Sequence, residues 1–90
     1  MTKKTASFSA LVRACRSALG WSQSILADKS GMATVSIARI ESGLISPRID
    51  TARSIIRAFQ DAGLDVREDE PRGGFTLIVN ENVFEDKEID

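Results

Sequence analysis

Apolar residues recur at three- and four-residue spacing in four successive segments of the first two-thirds of the chain. This spacing places them along one side of an α-helix and predicts four amphipathic helices. Glycines lie where the segments stop, and glycine suits the end of a helix because it tolerates positive φ. The apolar positions are Phe8, Leu11, Val12, Cys15 and Leu19, then Leu26, then Ile37 and Ile40, and last Ile49, Ala52, Ile55, Ile56 and Phe59, and the glycines are Gly20, Gly31, Gly43 and Gly63.

Hydroxyl side chains mark the expected starts of the first two helices. Ser7 precedes the first segment and Ser22 precedes the second, and a serine hydroxyl at such a position accepts a hydrogen bond from an amide of the first helical turn. Trp21 and Leu26 have the spacing of a hydrophobic staple across the second start. We therefore predict that the first helix begins after Ser7 and the second at Gln23.

The apolar period changes to two from Leu64 onwards, as in a β-strand. Leu64 and Val66 alternate with charged residues, and a second alternating run spans residues 75–80. The connection, residues 68–74, contains Pro71 and two glycines, which favour a turn. These features predict a β-hairpin over residues 64–80.

The expected architecture is therefore mainly α. We assign residues 1–63 to a helical domain, residues 64–80 to the hairpin, and residues 81–90 to an acidic, flexible tail in which Val83, Phe84 and Ile89 interrupt the charged residues. A chain of 90 residues suits one small domain with a modest core.

The net charge of −1 conceals a strong asymmetry along the chain. Residues 1–60 contain nine basic and three acidic side chains, a net charge of +6, whereas residues 61–90 contain three basic and ten acidic side chains, a net charge of −7. A surface for a polyanion such as nucleic acid is therefore expected in the first part of the chain.

Composition excludes most catalytic chemistry. The chain has no histidine and a single cysteine, Cys15, so it offers no intramolecular disulfide, no common zinc site and no histidine-activated nucleophile. Its paired carboxylates cluster in the tail, away from any expected pocket. No apolar run approaches the roughly 20 residues of a membrane span. We expect a cytoplasmic protein that is not an enzyme and binds no cofactor, metal or membrane.

A short helix, a turn containing Gly31 and a second short helix with a polar outer side are typical of a helix-turn-helix, whose second helix enters the major groove of DNA. Since Ile37 and Ile40 face the core, the opposite side of the third helix is the one that can reach base edges. That side supplies two hydroxyls, an apolar contact for a thymine methyl and a guanidinium for guanine, from Thr34, Ser36, Val35 and Arg39 respectively.

The run over residues 21–59 resembles the Cro/C1-type (Xre) family of helix-turn-helix regulators, whose members serve as standard examples of the motif. With the first helix, the resemblance covers residues 8–62 and implies a four-helix, lambda-repressor-like DNA-binding domain. The matching positions are Arg16, Leu19, Gly20, Ser22, Gln23, Leu26, Ala27, Ser30, Gly31, Ile37, Arg39, Ile40, Glu41, Gly43, Pro47, Thr51, Ile55 and Ala58.

The resemblance implies roles for individual residues. Gln23 and Arg48 match positions that contact the DNA backbone, and Arg16 and Glu41 match a pair that forms a structural salt bridge. The base-contacting positions of the family fall on Thr34, Val35, Ser36 and Arg39. Family members usually bind inverted repeats of double-stranded DNA as homodimers.

Two positions depart from the family pattern. Ile25 replaces a glutamate that completes a capping box in relatives, and Ala33 replaces a hydroxyl residue at the start of the third helix. Thr34 is therefore either the helix cap, with its hydroxyl partly occupied, or a base contact.

Two functions remain open from the sequence. The first is a sequence-specific transcriptional regulator, a repressor or autoregulator, that dimerises through the hairpin. Dimerisation is expected there because an isolated two-stranded sheet needs further packing or pairing. The expected dimer residues are Phe75, Leu77, Ile78 and Val79. The second is a protein-interaction module on the same fold, such as an antitoxin or anti-activator, that acts through the acidic C-terminal segment.

Overall fold

A computed structural model describes residues 3–85 of the protein. The elements are α1 (Lys3–Leu19), α2 (Gln23–Ser30), α3 (Thr34–Glu41), α4 (Ile49–Asp61), β1 (Leu64–Glu68), β2 (Phe75–Val79) and α5 (Asn82–Glu85). The predicted fold class, a helical domain followed by a β-hairpin, is confirmed. Within the described range, none of the helices combines the length and apolar character that a membrane-spanning segment requires.

The start of α1 differs from the prediction. Ser7 lies inside the helix, which begins at Lys3, so the prediction that Ser7 caps it was wrong. The additional turn is stabilised by packing, because Thr5 is only 8% exposed. Burial of one side of this turn outweighs the preference of serine for a capping position, and Ser7 occupies a half-buried position within the helix.

The start of α2 agrees with the sequence pattern. Ser22 is the N-cap, and its hydroxyl accepts a hydrogen bond from the Ile25 amide at 3.1 Å. At the other end Gly31 adopts the left-handed conformation, with φ of 73°, and its amide donates to the carbonyls of Ala27 and Asp28. At each end of α2, some of the backbone groups that a helix cannot pair internally therefore have a partner.

One core lies between the helices and the inner side of the hairpin. The most deeply buried large side chains are Phe59, Leu11, Leu26, Ile37, Ile40 and Ile55, together with Val12 and Cys15. Trp21 is partly buried and its ring centroid lies 6.1 Å from that of Phe59. The helical domain and the hairpin thus share a single apolar interior.

Ile49 is an exception to the apolar stripe of α4. Its spacing from Ala52 and Ile56 predicts that it faces the core, yet the side chain is 72% exposed. Ile49 is the first residue of the helix, where the neighbouring elements no longer cover the stripe. An uncovered apolar side chain therefore remains at the start of α4.

The hairpin pairs β1 and β2 in antiparallel register, with Leu64 opposite Val79 and Val66 opposite Leu77. These side chains, with Phe75, pack against the core. Because side chains alternate between the two faces of a strand, Ile78 lies on the outer face and is 43% exposed.

The hairpin also leaves backbone groups at its edges. The Asn80 amide donates to Gly63 and the Asp69 amide to Gly74. In an antiparallel ladder, hydrogen-bonded pairs alternate with pairs whose backbone groups point outward. The outer edge of β2 therefore presents the N–H and C=O groups of Phe75, Leu77 and Val79.

The first part of the acidic segment is helical. Residues Asn82–Glu85 form α5, and Val83 packs against the core while Phe84 is 53% exposed. The remainder of the predicted flexible tail, residues 86–90, lies outside the described residues. α5 closes over Gly63, where an added Cβ would lie 2.9 Å from both Asn82 Oδ1 and Val83 Cγ2.

Gly63 and Gly31 form a matched pair for substitution by alanine. Both have positive φ, 106° and 73°, but a Cβ at Gly31 has nothing within 4 Å. Gly31→Ala should lower the free energy of unfolding by about 1 kcal/mol through backbone strain alone. Gly63→Ala should lower it by about 3 kcal/mol, since strain and steric overlap combine. Urea unfolding followed by Trp21 fluorescence measures both, and equal losses would contradict this packing of α5.

Candidate nucleic-acid interface

The outer side of α3 is exposed and chemically mixed. Val35 is 54% exposed, and Arg39, one turn later on the same side, is also exposed. Ile37 and Ile40, on the opposite side, are essentially inaccessible to solvent. The core therefore determines which side of α3 faces outward, and that side is available to a partner.

Helix α3 begins without a side-chain cap. Ala33 is the N-cap, its φ and ψ are extended, and no side chain bonds to the first-turn amides. Thr34 is the first helical residue and is exposed. Of the two alternatives for Thr34, the structure excludes the cap, so its hydroxyl remains free to contact a partner. Ser36 is half-buried beside it.

Three helices meet at the carboxylate of Glu41, at the end of α3. Arg16 of α1 holds both oxygens, with Nε 2.6 Å from Oε2 and Nη2 3.0 Å from Oε1. Gln23 of α2 donates its Nε2–H to Oε1 at 3.1 Å. Glu41 is 5% exposed and Arg16 is 23% exposed, so this fork-shaped ion pair lies at the margin of the core.

The pair shifts both ionisation equilibria towards the charged forms. Burial of Glu41 acts to raise its pKa, but hydrogen bonds from Arg16 and Gln23 and the charges of Arg16 and Arg13 outweigh burial, and the pKa is lowered. The hydrogen bond from Arg16 to Glu41 likewise raises the arginine pKa, against a smaller opposing effect of burial. Glu41 is therefore ionised at neutral pH despite its burial.

Helix α1 also binds the backbone at the end of α3. The Ser9 hydroxyl donates to the Ile40 carbonyl at 2.6 Å, and Arg13 Nη1 donates to the Glu41 carbonyl. These carbonyls belong to the last turn, whose acceptors have no partner within the helix. Ser9 and Arg13 thus position α3, a role that the sequence analysis missed because the acceptors are backbone atoms without a sequence signature.

Gln23 lies at the N-terminus of α2, half-buried beside Glu41. A glutamine amide carries two N–H donors, and only one of them is used by Glu41. The second donor and the unpaired amides at the start of the helix form a positive end that favours an anion such as a phosphate.

The loop after α3 adds a charged and an apolar group. Arg48, the residue before α4, is exposed. Leu44 and Ile45 are 77% and 41% exposed, and the sequence analysis assigned them no role. Arg48 is thus accessible at the start of α4.

The predicted dimer residues lie on a different element from this surface. Phe75, Leu77 and Val79 are partly buried on the inner face of the hairpin, and Ile78 is exposed on its outer face. Cys15 takes no part in either surface: it is fully buried, and desolvation raises its thiol pKa to about 12. It functions as a core side chain.

Comparison with known families identifies a helix-turn-helix family. A family model described as helix-turn-helix, of the Xre/Cro/C1 type, matches residues 12–65, more than half of the chain. A comparison with curated proteins finds no match. The matched range includes α2, α3 and the loop that contains Arg48, so it covers the surface described above.

Replacing the buried carboxylate of Glu41 should make the free energy of unfolding less dependent on pH in the acidic range. Glu41→Gln should lower the free energy of unfolding by about 2 kcal/mol at pH 7, because it weakens charge-assisted hydrogen bonds. Folding lowers the Glu41 pKa below the ordinary value of 4.5, so the pair stabilises the native state above that pH and the stabilisation is lost as pH falls through the folded-state pKa.

The difference in the free energy of unfolding between wild type and Glu41→Gln should therefore shrink progressively below a pH of about 4.5. Urea unfolding at pH 7, 5, 4 and 3, followed by Trp21 fluorescence, measures it. Glu70→Gln, which changes an exposed carboxylate in the hairpin turn, serves as the charge control. A difference that stays constant down to the lowest pH would refute the role of the pair.

Proposed function

The chain belongs to the Xre/Cro/C1-type helix-turn-helix family, which makes it a DNA-binding regulator, and from this premise we propose that it is a sequence-specific repressor or autoregulator. In this proposal α3 lies in the major groove of double-stranded DNA, and two copies bind the two halves of an inverted repeat.

The outward side of α3 is the observation on which the proposal depends. Val35 and Arg39 point away from a helix whose other side is locked by Ile37, Ile40 and Glu41. A guanidinium can donate two hydrogen bonds to guanine O6 and N7, and an apolar side chain can contact the thymine methyl. Arg39 is thus assigned to guanine and Val35 to thymine.

Thr34 and Ser36 supplement these contacts with hydroxyls at the start of the helix. Gln23 and Arg48 contact phosphates on either side of the groove, Gln23 through its remaining N–H and the start of α2, and Arg48 through its charge. These backbone contacts supply affinity and orientation, whereas base contacts supply sequence preference.

The charge distribution supports this orientation. The helices that form the interface belong to residues 1–60, which carry a net charge of +6, while the rest of the chain carries −7. The basic part is attracted to phosphates and the acidic part is repelled. Binding should therefore weaken with added salt, as counterions compete.

Selection of a randomised double-stranded DNA library by the purified protein, at two salt concentrations, tests the function. We expect an enriched inverted repeat whose half-sites are about one helical turn apart. Weak, salt-sensitive binding without an enriched sequence would refute sequence-specific regulation.

We assign dimerisation to the hairpin. The outer edge of β2 offers backbone groups at Phe75, Leu77 and Val79, and a second copy can pair with them across a two-fold axis. Ile78 would lie near that axis on the outer face, where pairing covers its exposed side chain. The inner-face side chains hold the strand against the core and so keep its edge in place.

A protein-interaction function remains the second candidate. Phe84 is 53% exposed within an acidic segment, so its ring is accessible to an apolar contact on a partner. A protein partner that binds residues 81–90 would be detected by affinity capture with the full chain and lost in Phe84→Ala.

Arg39 and Arg48 should respond differently to substitution. Arg39→Ala should weaken binding to the selected site by about 1–3 kcal/mol and relax the preference at one base pair. Arg48→Ala should weaken binding by a similar factor on all sequences and reduce the salt slope by about one. Fluorescence anisotropy with the selected site and with single-base variants measures both, and equal losses across all sequences for Arg39→Ala would make it a phosphate contact.

Ile78→Lys should convert the dimer to a monomer, because it places a charge where pairing of the two β2 strands removes water. Asp65→Lys, on the same outer face but on β1, should leave the dimer intact. Size-exclusion chromatography with light scattering reports the mass of each. A dimer that survives Ile78→Lys would place the interface elsewhere.

A further inference from the structure

A groove on the side of the domain runs between the start of α1, one side of α4 and the turn of the hairpin. Apolar side chains of Phe8, Ala52 and Ile56 line it. Ile49, the uncovered residue at the start of α4, stands at one end and is 72% exposed. The groove is therefore an apolar surface that the domain itself leaves open.

Basic side chains line the same groove. Lys4 of α1 and Arg53 and Arg57 of α4 are all exposed. Neither of the two ion pairs formed by the described residues involves them. The hairpin wall contributes Glu68 and Asp69, so the positive charge is concentrated on the helical walls. A ligand for this groove should combine negative charge with an apolar group.

The C-terminal segment of the chain has that combination. Residues 81–90 contain five carboxylates and one lysine. The exposed ring of Phe84 lies between Glu81 and Glu85, which are also exposed. Val83 is already used by the core, so Phe84 is the apolar group that the described part of the segment can offer to a partner.

Within one copy, the segment and the groove wall lie at opposite ends of the hairpin. α5 follows the end of β2, where Asn80 bonds to Gly63, whereas the hairpin wall of the groove is the turn between β1 and β2. The strands between these ends are five residues long, or about 17 Å. A segment folding back in the same copy would first meet Gln60, near the end of α4, and would have to retrace the whole hairpin to reach Ile49 and the hairpin wall.

Two-fold pairing removes this separation. When the β2 strands of two copies pair antiparallel, the end of each strand lies beside the start of the other. The start of β2 adjoins the hairpin turn, so α5 of one copy emerges at the groove wall of its partner. We propose that the groove binds the acidic C-terminal segment, residues 81–90, of a second copy, with Phe84 over the apolar lining and the carboxylates at Arg53 and Arg57.

This assignment rests on the hairpin-mediated homodimer proposed above. It gives each dimer two equivalent exchanged contacts, because a two-fold axis repeats every interaction. The segment would then secure the dimer beyond the strand pairing itself, and its charge would be neutralised at a distance from the DNA-binding surface.

A charge exchange between full-length variants tests the docking. One variant carries Arg53→Glu and Arg57→Glu, and the other carries Glu81→Lys and Glu85→Lys. Sedimentation equilibrium measures the dimer dissociation constant, and Trp21 fluorescence checks that each variant folds. Each variant alone should dissociate about tenfold more readily, since an exposed charge contact is weak but occurs twice. Lys29→Glu, on α2 and away from the groove, should leave the dimer dissociation constant unchanged.

Mixing the two variants should restore the wild-type dissociation constant, because in the mixed dimer the exchanged positions 53 and 57 of each groove meet positions 81 and 85 of opposite charge. Docking within one copy predicts no such rescue, so its absence would overturn the proposal.

Unchanged dimerisation in both variants would also overturn it while leaving the hairpin dimer in place. Weaker DNA binding by the groove variant, with unchanged dimerisation, would assign the groove to phosphates. A wild-type monomer at all concentrations would refute the dimer itself.

Discussion

The ionised carboxylate of Glu41 is the interaction on which the geometry of this domain depends. It is buried at the end of α3, and it is held by Arg16 of α1 and Gln23 of α2. A buried charge that loses its partners destabilises a fold, so any arrangement that separated the three helices at this point would be disfavoured. The same contact orients α3 and places Gln23 at the edge of the candidate interface.

Backbone contacts complete this arrangement. Ser9 and Arg13 bond to carbonyls at the end of α3, so α1 holds that end through side chain and backbone together. The start of α3 has no such support, because Ala33 has no hydroxyl to offer. The helix is therefore secured from its C-terminus and from its apolar side.

Periodicity was sufficient to predict α2, α3, α4 and the hairpin, because burial of one side is what stabilises each of them. Ser7 and Ile49 were misassigned because their environment depends on which neighbours cover the ends of helices, and local spacing does not contain that information. The contacts of Ser9 and Arg13 could not be predicted for a related reason: their acceptors are backbone atoms brought close only by the fold. The surface of α3 was predictable because two isoleucines determine its opposite side.

The separation of the two sides of α3 has a consequence for how such a protein changes over generations. Residues that hold the helix point inward or lie at its end, whereas Val35 and Arg39 point outward, and their side chains take part in none of the hydrogen bonds or ion pairs of the described residues. Substitutions at these two positions are free of the destabilisation that a core change brings. Under the proposed assignment of Val35 and Arg39 to bases, target preference can be retuned by single mutations while the scaffold that presents it is inherited unchanged.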